Sequence, residues 1–191
     1  MVMEEALRNY ITAIAPLSDR EFMAVFSKMR AKSLLKKELL VKEGEHCNKL
    51  YFYQEGYFRF YYVDQAGREI TSDFLFAPGF ISSYTSFLTE RRSLINVQAM
   101  NDIEMLELDK NDLFELYKSN HNVERIGRLM AEQVLLAYEE HLFLVLNQPA
   151  DMRYKILLEK YPKYVREIPL QYIASFLGIT QETLSRIRRS I

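Results

Sequence analysis

A chain of 191 residues that is 49% hydrophobic carries enough apolar mass for one large or two small buried cores, which excludes a disordered chain. No apolar run approaches the roughly 18 residues that a bilayer crossing needs, and the start, MVMEEALRNYITAIAP, is an acidic amphipathic helix with no basic leader or cleavage site, so a cytoplasmic protein with no membrane partner is expected. The single cysteine, Cys47, excludes an internal disulfide or a cysteine-held cluster; the net charge of −1 hides a basic tail, with eight Lys/Arg against four acids from Asn147 onward and 17 against 22 before it.

In chain order, helical patterning runs to about Arg30. Residues 34 to 109 then cluster β-formers: Leu39-Leu40-Val41, Leu50-Tyr51-Phe52-Tyr53, Phe58-Arg59-Phe60-Tyr61-Tyr62, Ile70 to Phe76, Ile95 to Val97 and Met105 to Leu108. Many short strands at this spacing predict a sandwich or barrel. Gly44, Gly56, Gly67 and Gly79 fall between the runs at intervals of 11 to 12 residues, and each is expected to supply a turn. Cys47 reads as a small, half-buried apolar residue in one of them.

From Asn120 to Asn147 there is no proline, and the row Val123, Gly127, Met130, Val134, Ala137 and Leu144, interrupted by His141, describes one long helix. A second row, Ile126, Leu129, Leu136 and Phe143, gives it more apolar face than one neighbour covers. It is expected to pack on its own β domain and on a twin helix from a second subunit; the alternative is a wholly intramolecular core helix. Asn147-Gln148-Pro149 ends the helix in a hinge. Ala150 to Lys160 reads as a further helix with Met152, Ile156 and Leu157 inward, closed by Pro162, and Pro169 opens another.

The stretch from Ile168 to Arg189 is the most informative. Two helices crossing steeply over a short turn need a small residue at the crossing and a permissive backbone in the turn. Ala174 and Gly178 meet those needs, while Ile173, Leu177, Ile179, Leu184 and Ile187 are spaced to fill the wedge. Thr180 suits the N-cap of the second helix, with Glu182 in its first turn. The outward positions are Gln181, Glu182, Ser185, Arg186 and Arg189. Glutamine pairs with adenine, glutamate accepts from the cytosine amino group, and arginine pairs with guanine, so Gln181, Glu182, Ser185 and Arg186 are the expected base readers. Arg188 and Arg189 are placed to hold phosphates of double-stranded DNA. The alternative is an ordinary helical hairpin with a solvated charged face.

With these residues the chain resembles the Crp/Fnr family of bacterial transcription regulators over nearly its whole length. Ile173-Ala174, Leu177-Gly178-Ile179-Thr180 and Glu182-Thr183-Leu184-Ser185-Arg186 are similar to that family's DNA-reading signature, with Gln181 a departure from its well-known branches. Val41-Lys42-Glu43-Gly44-Glu45, Leu50-Tyr51-Phe52 with Gly56, and Asp64 to Glu69 are similar to the turns of its cyclic-nucleotide-binding jelly roll, and Pro149 to Tyr154 to the start of its DNA-binding domain. The resemblance implies an α+β fold. It places a jelly-roll sensor domain at 1–119, a dimerisation helix at 120–147 and a helix-turn-helix, winged-helix-like domain at 148–191, whose wing is truncated because the chain ends at Ile191. It implies a homodimer on a palindromic operator, with RNA polymerase as a partner.

The effector cassette departs from the family. Where nucleotide-binding members carry a Gly-Glu-Leu turn for the ribose, this chain reads Gly79-Phe80-Ile81-Ser82, and the phosphate grip falls near Arg91-Arg92-Ser93. Phenylalanine cannot accept a hydroxyl hydrogen bond, so the expected effector is an unidentified small molecule other than cyclic AMP, or none. Phe80, Ile81, Ser82, Arg91, Arg92 and Ser93 are the pocket candidates, with Tyr138 where the long helix borders the pocket in relatives. Arg91 and Arg92 either clasp an anion or form a solvated surface. Jelly rolls also house metal enzymes, but the three histidines, His46, His121 and His141, supply no triad on strands. No catalytic residue, metal or cofactor is therefore expected. The remaining rival is a ligand-binding or protein-interaction module that has lost DNA binding.

Overall fold

The computed structural model describes residues 2–190; Met1 and Ile191, the final residue of the predicted DNA-binding segment, lie outside the described residues. The chain divides into two compact units, one running to Phe60 and resuming over Phe74–Glu132, the other combining Tyr61–Asp73 with the chain from Gln133 onward.

The first unit opens with helices α1 (Val2–Ile14) and α2 (Asp19–Phe26). Eight strands follow: β1 (Arg30–Leu34), β2 (Leu39–Val41), β3 (Lys49–Tyr53), β4 (Tyr57–Val63), β5 (Glu69–Phe76), β6 (Gly79–Ile81), β7 (Asn96–Ala99) and β8 (Ile103–Asp109), with helix α3 (Tyr84–Thr89) between β6 and β7. They form two four-stranded sheets, ordered β1-β8-β3-β6 and β2-β7-β4-β5, the sandwich that the strand spacing predicts and the jelly roll that the resemblance implies. Gly79 departs from expectation: it is a buried residue of β6 opposite Tyr53 rather than a turn.

Alternation along the strands builds two cores. Odd positions Tyr51, Tyr53, Ile81, Ile103 and Met105 join Phe58 and Val97 between the sheets. Even positions Phe52 and Leu106, with Phe80 beside them, face the other way and pack against Leu7 and Ile11 of α1 and Phe22 of α2. Fully burying side chains of this size stabilises by about 1.5–3 kcal/mol each. A capping box fixes the start of α2, with the Ser18 N–H and hydroxyl donating to Glu21 Oε2 at 2.8 and 2.6 Å.

Helix α4 (Lys110–Ser119) leads into α5 (His121–Asn147), the single long helix predicted from Asn120. Asn122 Nδ2 donates to Glu21 Oε1 at 2.8 Å, and Val123 and Ile126 are buried. Gly127 lies under Tyr117, whose phenol oxygen leaves no room for a Cβ. Burial pushes that phenol up to about 12. Beyond Glu132 the apolar rows lose their cover, and Val134, Leu135, Leu136, Tyr138 and Phe143 are each more than half exposed. Among the described residues no helix is long and apolar enough to cross a membrane.

The second unit carries α6 (Ala150–Lys160), α7 (Pro162–Glu167), α8 (Leu170–Phe176) and α9 (Gln181–Ser190) after the end of α5. Two contacts bind α6 back to α5: Arg153 Nη1 donates to Val145 O at 3.0 Å, and Lys160 Nζ pairs with Glu140 at 3.0 Å. The inward residues of α6 are Tyr154 and Leu157, whereas Met152, expected inward, is exposed.

Candidate nucleic-acid interface

Helices α8 and α9 meet over the turn Leu177-Gly178-Ile179-Thr180. The turn is a Schellman motif: Ile179 N–H donates to Ala174 O and Gly178 N–H to Ser175 O, both at 3.0 Å. Gly178 takes φ +67°, the left-handed conformation that a Cβ resists. Ile173, Ala174, Leu177 and Leu184 are each no more than 2% exposed, so the wedge between the helices is dry. The predicted small residue, turn glycine and apolar wedge are thus brought together in one crossing.

Thr180 begins α9 as the sequence implies, its Oγ1 accepting from the Thr183 N–H at 3.2 Å. The apolar edge of α9 is Leu184 and Ile187, both buried. On its other side Gln181, Glu182, Arg186, Arg188 and Arg189 are exposed and Ser185 is half-buried. Glu182 is held below the usual carboxylate range, first by its own backbone N–H and then by the Thr180 hydroxyl, and so stays an acceptor at neutral pH. Arg189 Nε reaches back to Ser185 O at 3.3 Å, which leans that guanidinium along the helix. This face offers a carboxylate and an amide near the helix start and cations along its later turns, a donor and acceptor set able to meet base edges and phosphates.

Two features here had no sequence signal. Arg153 caps the carbonyl end of α5 while its Nε is buried without a partner, and Ser175 on α8 is hydrogen-bonded to the start of strand β5.

The effector-cassette residues are split between environments. Phe80 packs on Tyr10 and Phe52 with ring centroids 5.8 and 5.2 Å away, on the helix-covered side of its sheet. Ile81 lies in the core between the sheets. The serines are satisfied internally: Ser82 Oγ donates to Lys49 O at 2.9 Å, Ser86 Oγ to Arg91 O at 2.6 Å and Ser93 Oγ to Ile95 O at 2.7 Å. Ser83 and Ser93 share a hydrogen bond of 2.8 Å. Arg91 and Arg92 point outward, and Arg92 Nη1 donates to Gly44 O at 2.7 Å. Tyr138 is 64% exposed on the part of α5 that belongs to the second unit.

Residues 31–120 match the family model described as Cyclic nucleotide-binding domain, and the chain is similar in fold to solved Crp/Fnr regulators. FixK2 of Bradyrhizobium japonicum is similar at 21% identity and TM-score 0.70, over 85% of this chain and 83% of that one. CLP of Xanthomonas campestris, a c-di-GMP responsive global regulator, is similar at 14% identity and TM-score 0.72, over 91% of each chain. A crp/fnr-family transcriptional regulator of Eubacterium rectale is similar at 19% identity and TM-score 0.67, over 91% of this chain and 83% of that one. Comparison with curated proteins finds no match.

Proposed function

We propose that the protein is a dimeric, non-enzymatic DNA-binding transcription regulator of the Crp/Fnr type that reads a palindromic operator in the cytoplasm of a bacterium. The observation that carries the reading is the exposed Gln181, Glu182 and Arg186 edge of α9, held on a crossing whose opposite face is buried at Leu184 and Ile187. Gln181, Glu182, Ser185 and Arg186 read bases; Thr180, Arg188 and Arg189 contact the backbone.

The second half of α5 supports pairing with a second copy. Leu136, Phe143 and Leu146 are 61, 63 and 72% exposed in the single chain, an apolar cost that a twin helix removes. A two-fold axis along the helix sets two copies of α9 about 34 Å apart, one turn of duplex. RNA polymerase is the partner that the family resemblance implies. The effector, where there is one, differs from cyclic AMP, a reading supported by the Phe80 ring and the internally bonded serines.

The test is selection of duplexes from a random pool, followed by anisotropy titration over a salt series. Operator reading requires binding to a two-fold sequence whose affinity falls steeply with salt, since phosphate contacts release counterions. Binding that ignores sequence, or none at all, refutes it. Sedimentation of the free protein tests the dimer, and a monomer at tens of micromolar removes that part.

A further inference from the structure

The hairpin formed by the ends of β4 and β5, residues 61–73, groups with the C-terminal helices rather than with the sheets that its strands extend. Strand β5 is at the edge of its sheet, and the free side of an edge strand presents backbone N–H groups that need partners. Thr71, only 3% exposed, finds one on α8: its N–H donates to Ser175 Oγ at 2.8 Å. The same oxygen lies 3.4 Å from Glu69 O, so one hydroxyl spans two strand residues. On α7, burial and then the charge of the Asp73 carboxylate push the Tyr164 phenol upward. The hairpin itself is stiff. Asp64 N–H donates to Arg68 O, Asp64 Oδ1 accepts from the Ala66 and Arg68 N–H groups, and Oδ2 accepts from Arg68 Nε, all at 2.9 Å.

We propose that Ser175 is a positioning residue through which the β4–β5 hairpin holds α8, and with it α9, in the orientation that meets DNA. The inference rests on the operator reading above. Ser175 is in the last turn of α8, immediately before the Schellman turn and the shared apolar wedge, so α9 follows whatever fixes α8. A helix held before binding loses less orientational freedom on binding, and that saving appears as affinity.

The experiment compares full-length wild type with Ser175→Ala and Ser175→Thr, using the duplex selected for the wild type at fixed salt. Ser175→Ala is expected to speed amide exchange at Thr71 and to weaken operator binding about three- to tenfold, the range set by one hydrogen bond. Ser175→Thr, which keeps the hydroxyl, is expected to restore both. The salt slope and base preference are expected to stay at wild-type values, which separates positioning from a lost DNA contact. Operator affinity within twofold of wild type, or tighter, despite faster exchange at Thr71 overturns the proposal, as does unchanged exchange. Failure of the operator reading itself is visible separately, as a wild-type protein that selects no duplex.

Discussion

The effector cassette and the helix-turn-helix use similar polar residue types in opposite ways. Between β6 and β7 the Ser82, Ser86 and Ser93 hydroxyls turn inward and donate to the carbonyls of Lys49, Arg91 and Ile95. Along α9 the amide, carboxylate and guanidinium groups of Gln181, Glu182 and Arg186 turn outward over a sealed apolar wedge. A buried hydroxyl with its proton committed must break a bond to greet a ligand, whereas an exposed guanidinium exchanges only water. The difference is what favours α9 over this loop as the recognition surface in the proposed function.

The largest effect is expected from breaking the wedge. Leu184 is fully buried between α8 and α9, and Leu184→Ala is expected to cost about 2–5 kcal/mol of stability. Thermal melts monitored by circular dichroism would read this as an early transition, with DNA binding lost alongside. Arg186→Ala comes next. It removes one exposed guanidinium with no packing role, so the melt should not move while operator affinity falls by about 1–3 kcal/mol, with selectivity relaxed at one base pair. Unchanged affinity at the selected operator would take Arg186 out of the interface. On the closed side, Ser83→Ala deletes the buried bond to Ser93 and should lower stability by about 0.5–1.5 kcal/mol while leaving operator affinity alone.

What was legible beforehand follows from the same contrast. Periodicity exposes elements with one buried face: α5 from Val123 onward and α9 around Leu184 and Ile187 were both readable to within a residue or two. Strand β1 was not, because its sequence, RAKSL, buries only Leu34 and leaves no alternation to detect. Strand β6, of three residues, and helices α3 and α7, of six each, are too short to establish a period. In the site, the outward set on α9 followed from spacing alone. The inward set around Ser82 and Ser93 did not, since its partners are backbone carbonyls that no side-chain pattern announces. Ser175 and Thr71 are 104 residues apart, a contact that only the folded chain creates.

A smaller effect sharpens the comparison through pH. His141 on α5 stacks on Phe176 of α8 with ring centroids 4.5 Å apart, and burial holds its imidazole below the ordinary range. The unfolded chain then takes up the proton more readily than the folded one. Stability from this group is full above about pH 6.5, the ordinary histidine value, and is lost as pH falls through the lowered one. Urea midpoints measured from pH 7.5 down to 5 should show this slope for the second unit, and His141→Phe, which keeps the stack, should flatten it. A slope that survives the substitution assigns it to another group.

The smallest effect is expected at Arg91 and Arg92, and its smallness is informative. Both side chains face solvent, and the bond from Arg92 to Gly44 O is at the surface, where a lost hydrogen bond is replaced by water. The double variant Arg91→Ala, Arg92→Ala is therefore expected to melt within about 0.5 kcal/mol of wild type and to bind the operator as before. Calorimetry with cyclic AMP should give no specific heat for either protein, because Phe80 offers no acceptor to a ribose hydroxyl and the neighbouring serine protons are already spent. Saturable cyclic AMP binding that disappears in the double variant would mean that the cassette opens, with Ser82 and Ser93 surrendering their carbonyl partners. The contrast between inward-turned serines and an outward-turned α9 would then hold only until the ligand binds.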